Sequence, residues 1–425
     1  MNLDRTKAPV FHQIDNINIP KTEYGLLSNK IPFHVLSGGS QELSYIALTF
    51  NAGSITSNQL LVASITNQML VGGTKNHSAS QIANTFDFYG AEIRTDSNFD
   101  HAVVALFCLN KYLEQLLPLF CELITESVFP DSELESVISE KKHKLIVNKE
   151  KTGFLANNAM HKLTFGQHPY GRRAEPADYD KITRDTLVGF HSAQYHAGNC
   201  YLLAIGYITD AVMSLIDKTI GNLPVKAKTE IQPTPLTPAG KNASETIRKE
   251  NAVQSSLRMG MQTIKITHPD YHKLNILTTI LGGYFGSRLM KNIREEKGYT
   301  YGIYSVLQPY LQCGLLRIAG EIKSGYAMQV VDEVRREMQN LKDKPVSNSE
   351  MELVRNYMMG EMLQTFDGPL SCIDAVEKAI DMEVGIDFYN KEQQAIMSIK
   401  PIDIQETANK YFDLDKLTVA IAGNE

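Results

Sequence analysis

The sequence lacks the features that would place it in a membrane or on a nucleic acid. No apolar run approaches the roughly 20 residues that a membrane span requires, and the first 20 residues contain no apolar segment typical of a signal peptide. The net charge of -6 provides no basic field for phosphate backbones. We therefore expect a cytoplasmic protein, or a periplasmic one if a leader was trimmed, with no membrane span and no nucleic-acid partner.

Cysteine is scarce and the short catalytic motifs are missing. The five cysteines are an odd number, widely scattered and without a CxxC pair, which indicates buried thiols in a reducing compartment rather than disulfides or a metal knuckle. The chain contains no HExxH, HxxEH or HxH pattern for a metal, no GxSxG for a serine hydrolase, and no GK[ST] for a phosphate loop. The chain therefore lacks the usual signatures of an independent hydrolase.

What the chain does contain is an internal duplication. Its 425 residues exceed what one core usually organises. Hydrophobic periodicity predicts strands at 45–51, 91–97, 102–110 and 199–207 and helices at 58–71, 78–88, 111–127 and from 130 onward, and then strands at 255–262, 300–307 and 314–322 with helices at 271–281, 288–297 and 325–341. Glycine landmarks recur about 210 residues apart, Gly72-Gly73 against Gly282-Gly283. The fold class is therefore α+β, with two duplicated halves that each pack helices on one face of a mostly antiparallel sheet.

A polar, proline-rich segment separates the two halves. Residues 225–245 hold three of the 16 prolines and lack helical periodicity, which is typical of a linker. The predicted domains are therefore residues 1–224, the linker 225–245, and residues 246–425.

The strongest candidate for chemistry lies in residues 281–304. A glycine cluster there leads into a charged helix that stops at Gly298, and a β-rich run follows. Arg294 lies in the last turn of the helix and Tyr301 near the start of the strand, so the turn can aim a guanidinium and a phenol at one point. Such a pair suits a peptide carbonyl or carboxylate. The alternative is that the arginine is a surface charge and the tyrosine a half-buried ring.

Several segments, taken in order, resemble a known family. MLVGGT (69–74), FGQHPYGR (165–172), GGYFGSRL (282–289) and IREEKGYTYG (293–302) are similar to segments of the pitrilysin and mitochondrial-processing-peptidase family of zinc peptidases, which carry an inverted HxxEH motif. The resemblance runs from about Asn29 to the C-terminus. It implies that the two halves form a clam-shell.

The resemblance also implies that the zinc motif has been lost. Aligned on Met69-Leu70, the HxxEH positions fall on Ser64, Asn67 and Gln68, and the third ligand near residues 143–145, with Glu140 out of register. Neutral serine and glutamine side chains are poor zinc ligands, and asparagine cannot act as a general base. We expect no zinc in this chain and no peptide hydrolysis by the chain alone.

The family's Arg/Tyr pair, in contrast, is intact at Arg294 and Tyr301. Gly282, Gly283 and Gly286 stand where the family's non-catalytic subunit carries a longer glycine-rich substrate loop, although here they also fit a tight turn. The resemblance implies a non-catalytic subunit that binds peptides and pairs with a homologous HxxEH-bearing subunit, which supplies the zinc. Two alternatives remain: a structural subunit like the family members in respiratory complexes, or a peptide-binding homodimer.

Overall fold

The computed structural model describes residues 6, 14, 16–227 and 234–424. Eleven strands occur among these residues: β1 Glu23–Leu26, β2 Pro32–Ser37, β3 Leu43–Phe50, β4 Glu92–Ser97, β5 Ala102–Leu109, β6 Cys200–Gly206, β7 Ser244–Arg248, β8 Gln254–Thr263, β9 Thr300–Pro309, β10 Gly314–Lys323 and β11 Thr418–Gly423. The predicted linker lies partly outside the described residues, and its last two residues, Ser244 and Glu245, open strand β7.

The α-helices of the described part of the chain are α1 Val62–Met69, α2 Ala79–Phe88, α3 Leu113–Thr125, α4 Asp131–Asn148, α5 Thr152–Phe165, α6 Pro176–Tyr179, α7 Arg184–Gln194, α8 Asp210–Thr219, α9 Tyr271–Thr278, α10 Ala327–Asp343, α11 Asn348–Thr365, α12 Ile373–Asp381, α13 Asp387–Ser398 and α14 Pro401–Tyr411. Local chemistry explains where α2 begins, since Ser78 caps the helix through a capping box with Gln81.

The two sheets share one topology, which confirms the duplication. The first sheet has the order β1-β2-β6-β3-β5-β4 and the second the order β7-β11-β8-β10-β9. In each, one parallel pair (β2 with β6, β7 with β11) is followed by antiparallel pairs only. Removing β1 makes the two orders equivalent strand for strand. The α+β class with two mostly antiparallel sheets is therefore confirmed.

Each sheet buries one face under helices of its own half. The main core of the first half packs β3, β5 and β6 against α1, α3, α7 and α8, and that of the second half packs β8, β9 and β10 against α9, α10 and α14. Seven of the eight residues of strand β3 are buried. The strand therefore lacks the alternation of buried and exposed residues that is typical of a strand with one face in water. Both faces of this strand must therefore be covered.

The second covering layer is exchanged between the halves. Helix α5 of the first half lies on β8 and β11 of the second sheet, where the Thr164 hydroxyl is 2.8 Å from that of Thr418. Helix α12 of the second half lies on the first sheet, where Cys372 and Val376 pack against Tyr45, Ala47 and Leu203. The expectation of helices on one face holds within each half, and the other half supplies the opposite face.

Two predicted helices differ in detail. Helix α1 begins at Val62, four residues after the predicted start, because Leu61 adopts a left-handed conformation with φ 72°. The segment predicted as a helix at 288–297 is a π-helical turn, Met290–Glu296, and a second such turn, Thr279–Gly283, follows α9. Among the described residues, no helix has the length and apolarity to cross a membrane.

Candidate functional site

Arg294 contacts two aromatic rings. Its guanidinium carbon is 4.4 Å from the centre of the Phe285 ring and 5.2 Å from that of Tyr301. Arg294 is placed there by the π-helical turn Met290–Glu296, and Tyr301 by the start of β9, with Gly298 at φ 65° making the turn between them. Stacking of this kind fixes the plane of a guanidinium while leaving its edge available for hydrogen bonds.

The hydrogen-bonding groups of this pair are unused within the described chain. Neither the Arg294 guanidinium nor the Tyr301 hydroxyl bonds to another described residue, and the Tyr301 side chain is 85% exposed. The structure therefore brings the two predicted residues together with their donors free. An arginine and a phenol held in contact can bind a carbonyl or carboxylate oxygen.

The Tyr301 and Phe285 rings line an open cavity of about 730 Å³. Its walls are mainly aromatic and aliphatic, with Tyr284, Met290 and Ile303 among them. Phe285, which is 64% exposed, was missed from the sequence. The pattern that could have indicated it is GYFG, in which aromatic residues stand between two glycines of a turn, where core residues are not expected.

The predicted glycine loop forms the edge of the same cavity. Gly282 and Gly283 line it, and Gly282 also lies against β9, where a Cβ atom would come within 2.6 Å of the Ser305 backbone nitrogen. At Gly286 a Cβ atom would meet only the Tyr284 ring, at 2.9 Å. Close packing therefore explains Gly282 without a ligand, and the loop is a tight turn that also borders the cavity.

The degenerate zinc-motif positions lie on α1 and serve the fold. Asn67 is fully buried. Its amide nitrogen donates to the Asp96 and Val103 carbonyls at 2.8 and 3.1 Å, and its amide oxygen accepts from the Tyr195 hydroxyl at 3.0 Å. Asn67 thus ties α1 to β4, to β5 and to the end of α7.

The side chains at these positions do not fit a zinc ion. Both the amide nitrogen and the amide oxygen of Asn67 are engaged in hydrogen bonds within the fold. The Ser64 hydroxyl donates to the Leu61 carbonyl at 3.1 Å. Gln68 offers a neutral amide, which is a poor ligand. Glu140 and His143, near the third ligand position, are exposed on α4. Among the described residues, no group of three or more His, Cys, Asp and Glu side chains is arranged to hold a metal.

Ser64 and Tyr301 border different cavities. Ser64 lines a second cavity, of about 590 Å³, together with residues of both halves, whereas Tyr301 lines the cavity described above. The structure therefore does not bring the predicted zinc-motif positions and the Arg/Tyr pair into one site of this chain.

Comparisons with known proteins cover both halves of the chain. Residues 35–176 match a family model described as Insulinase (Peptidase family M16), and residues 181–358 match one described as Peptidase M16 inactive domain. A relative from Rickettsia bellii named an uncharacterized zinc protease is 22% identical, over 96% of this chain and 98% of its own length. One from Helicobacter pylori, named non-peptidase homolog YmxG, is 21% identical over 90% of this chain and 89% of its own.

A solved structure has the same fold across almost the whole chain. It is a crystal structure of a peptidase M16 inactive domain from Pseudomonas fluorescens, with a TM-score of 0.88 and 22% identity, and it covers 95% of this chain and 98% of that one. The two-half clam-shell is thus the architecture of both molecules.

Proposed function

The chain belongs to the peptidase M16 family, and from this membership we propose that it is the zinc-less subunit of a two-subunit peptidase. It holds peptide substrates for hydrolysis at the zinc site of a homologous HxxEH-bearing partner. The observation that carries the proposal is the contrast between the two predicted sites. The Arg/Tyr pair keeps its donors free beside a cavity, while the zinc-motif positions have become structural.

In this proposal Arg294 binds a substrate carbonyl or carboxylate. The rings of Phe285 and Tyr301 both contact its guanidinium, so little side-chain freedom is lost on binding. Charge-assisted hydrogen bonds from a planar guanidinium are about twice as strong as neutral ones. The aromatic cavity beside it, lined by Tyr284 and Met290, accommodates an apolar side chain of the same peptide.

Tyr301 has the role of a hydrogen-bond donor to the peptide carbonyl oxygen as that oxygen becomes anionic. Its exposed hydroxyl is available to a partner subunit's substrate, and the ring is positioned by its contact with Arg294. This chain alone offers no general base at the former motif, because Asn67 stands there. The name non-peptidase homolog, given to the Helicobacter pylori relative, agrees with an inactive subunit.

The test is Tyr301→Phe in the chain reconstituted with an HxxEH-bearing sibling. The ring and its contact with Arg294 remain, and only the hydroxyl is lost. We expect turnover of a quenched peptide to fall about 100-fold, the typical effect of removing one oxyanion donor. Assembly, measured by sizing of the mixture, should be unchanged.

The matched control is Tyr24→Phe, which removes a hydroxyl from another exposed tyrosine, on the edge strand β1. It should leave turnover at the wild-type rate. Equal turnover of the Tyr301→Phe pair and the wild-type pair would remove Tyr301 from the reaction. A complex that forms but shows no hydrolysis with any sibling would instead support a structural subunit, and a stable assembly of the chain alone would support a homodimer.

A further inference from the structure

A second cavity lies where the two halves meet, and it is lined by positive charge. The first half contributes Arg172, Arg173 and His161, and the second half contributes Tyr310 and Arg317 around about 590 Å³. We call this cavity, defined by these five residues, the arginine cavity after its three arginines. It is separate from the cavity beside Arg294, since neither Arg294 nor Tyr301 lines it.

The three guanidinium groups have no carboxylate partner within the described chain. Arg172 donates to the Ser57 and Asn58 carbonyls at 3.2 and 3.1 Å. Arg173 donates to the Tyr170 and Arg172 carbonyls at 2.9 and 2.7 Å, and Arg317 to the Tyr304 hydroxyl at 3.0 Å. Burial lowers the pKa of Arg173 to about 10. Half-buried cations without counter-charges destabilise a fold, so they call for another explanation.

Asp100 does not supply the missing counter-charge. It is the one carboxyl among the described residues that line the cavity, and it forms no ion pair with any of the three arginines. Its Oδ1 accepts from the Tyr170 hydroxyl at 2.8 Å and its Oδ2 from the Leu311 backbone nitrogen at 3.4 Å. Burial also raises the pKa of this carboxyl. The cavity therefore keeps a positive potential.

Polar atoms inside the cavity wall are left without partners. The His161 side chain is buried (5% exposed), and its Nδ1 has no hydrogen-bond partner among the described residues. The same is true of the Tyr310 hydroxyl, in a residue 4% exposed, and of Arg317 Nε. Burial, together with the charges of Arg173 and Arg317, lowers the pKa of His161 to about 3, so its ring is neutral. Each of these atoms has almost no accessible surface, so they lie just behind the cavity wall, and no described acceptor there offsets the charge of the arginines.

We propose that the arginine cavity binds a carboxylate that carries an apolar group, either the C-terminus of a peptide or a free carboxylic acid. Arg173 and Arg317, which both line the cavity, provide planar donors of the kind that match the two carboxylate oxygens. Apolar residues, Leu61, Phe99 and Met382, form other parts of the wall, and the space exceeds what an inorganic anion fills. The site does not depend on the proposed function.

The test uses a degenerate octapeptide pool labelled with fluorescein at its N-terminus, prepared with a free C-terminal carboxylate and as the amide. We expect the full-length chain to bind the acid pool at least tenfold more tightly than the amide pool in fluorescence anisotropy. Competition by N-acetylphenylalanine but not by its amide would identify the carboxylate as the recognised group. If only the N-acetyl acid binds and the peptide pool does not, the ligand is a small acid.

Arg173→Gln and Arg317→Gln should each weaken binding of the carboxylate more than tenfold, while Arg248→Gln, which removes an exposed charge at the end of β7, should not.

Melting temperatures separate binding from folding: because the cavity cations are uncompensated, the two cavity variants should melt at or above the wild-type temperature without ligand. Equal affinity for acid and amide, no saturable binding up to about 1 mM, or tighter binding of inorganic phosphate than of either acid would overturn the proposal.

Discussion

At the scale of single residues, Glu377 is a carboxyl that the exchange of helices between the halves buries. It lies on α12, buried against the first sheet, and its Oε1 accepts from the Tyr45 hydroxyl at 2.6 Å. Burial raises its pKa to about 7, and the nearby Asp381 and Asp374 add to the rise. The folded state therefore binds a proton that the unfolded state has released at neutral pH.

Glu377→Gln should accordingly stabilise the protein in a pH-dependent way. A raised carboxyl pKa contributes stability at acid pH, which is lost as the pH rises from about 4.5 towards 7. The variant should match the wild type near pH 4.5 and exceed it above pH 7, by an unfolding free energy on the order of 2 kcal/mol. Urea unfolding across this pH range measures the difference.

Glu135→Gln, at an exposed position of α4, is the control and should show no pH-dependent gain. A constant difference between Glu377→Gln and the wild type at all pH values would mean that the carboxyl is ionised with its ordinary pKa in the folded protein.

Single residues of the candidate site differ in how far the sequence reveals them. Arg294 and Tyr301 were found because Gly298 joins a helical to a strand pattern within eight residues, so local geometry sufficed to bring them together. Arg317 and His161 could not be paired in advance, because they meet only through the packing of one half on the other. Phe285 could not be recognised in advance, because the sequence does not show that its ring is exposed and in contact with Arg294.

At the scale of elements, the docking of α5 on the second sheet depends on a glycine. At Gly260 in β8, a Cβ atom would lie 2.5 Å from the Met160 sulfur and 2.7 Å from the Thr164 hydroxyl oxygen. Thr164 in turn lies against Thr418 of β11. The absence of a side chain at this position lets the helix approach the sheet closely.

Gly260→Ala should therefore push α5 away from the sheet. We expect a loss of about 1–3 kcal/mol in the free energy of unfolding, the usual cost of overpacking a core, measured by urea denaturation. The matched control is Gly189→Ala in α7, where a Cβ atom meets nothing within 4 Å. That change should be neutral or stabilising, since alanine favours helix. A stable Gly260→Ala variant would show that α5 can shift without cost.

Most elements were predicted because their signals are local. Hydrophobic periodicity predicted β5 and the long strands of the second sheet, and Ser78 marked the start of α2, where the structure adds a capping box with Gln81. The π-helical turns and the left-handed Leu61 were not predicted, because tertiary contacts override the helical pattern there. Periodicity could not indicate that α5 covers the sheet of the other half, because an apolar helix face shows that the helix packs but not which sheet it packs against.

At the scale of the whole molecule, neither half is complete without the other. Residues 1–224 alone would expose the face of the first sheet that contains Tyr45, Ala47 and Leu203, because α12 would be missing. The second sheet would equally lose α5. The two halves should therefore unfold together.

We expect a single cooperative transition for the full chain in calorimetry, and an isolated 1–224 fragment that binds the dye ANS and aggregates. Adding a 246–425 fragment should restore a folded complex, visible as loss of ANS binding and recovery of near-ultraviolet circular dichroism. Two separate transitions in the full chain, or a 1–224 fragment that is monomeric and does not bind ANS, would contradict the exchange of helices as a source of stability.

The exchanged helices also limit how the molecule can move. Bending the two halves apart would have to separate α5 and α12 from the sheets they cover, so these contacts oppose a hinge motion between the described halves. In the proposed complex, a peptide would then have to enter where this chain meets its partner subunit, and the strength of that contact would set the rate of entry.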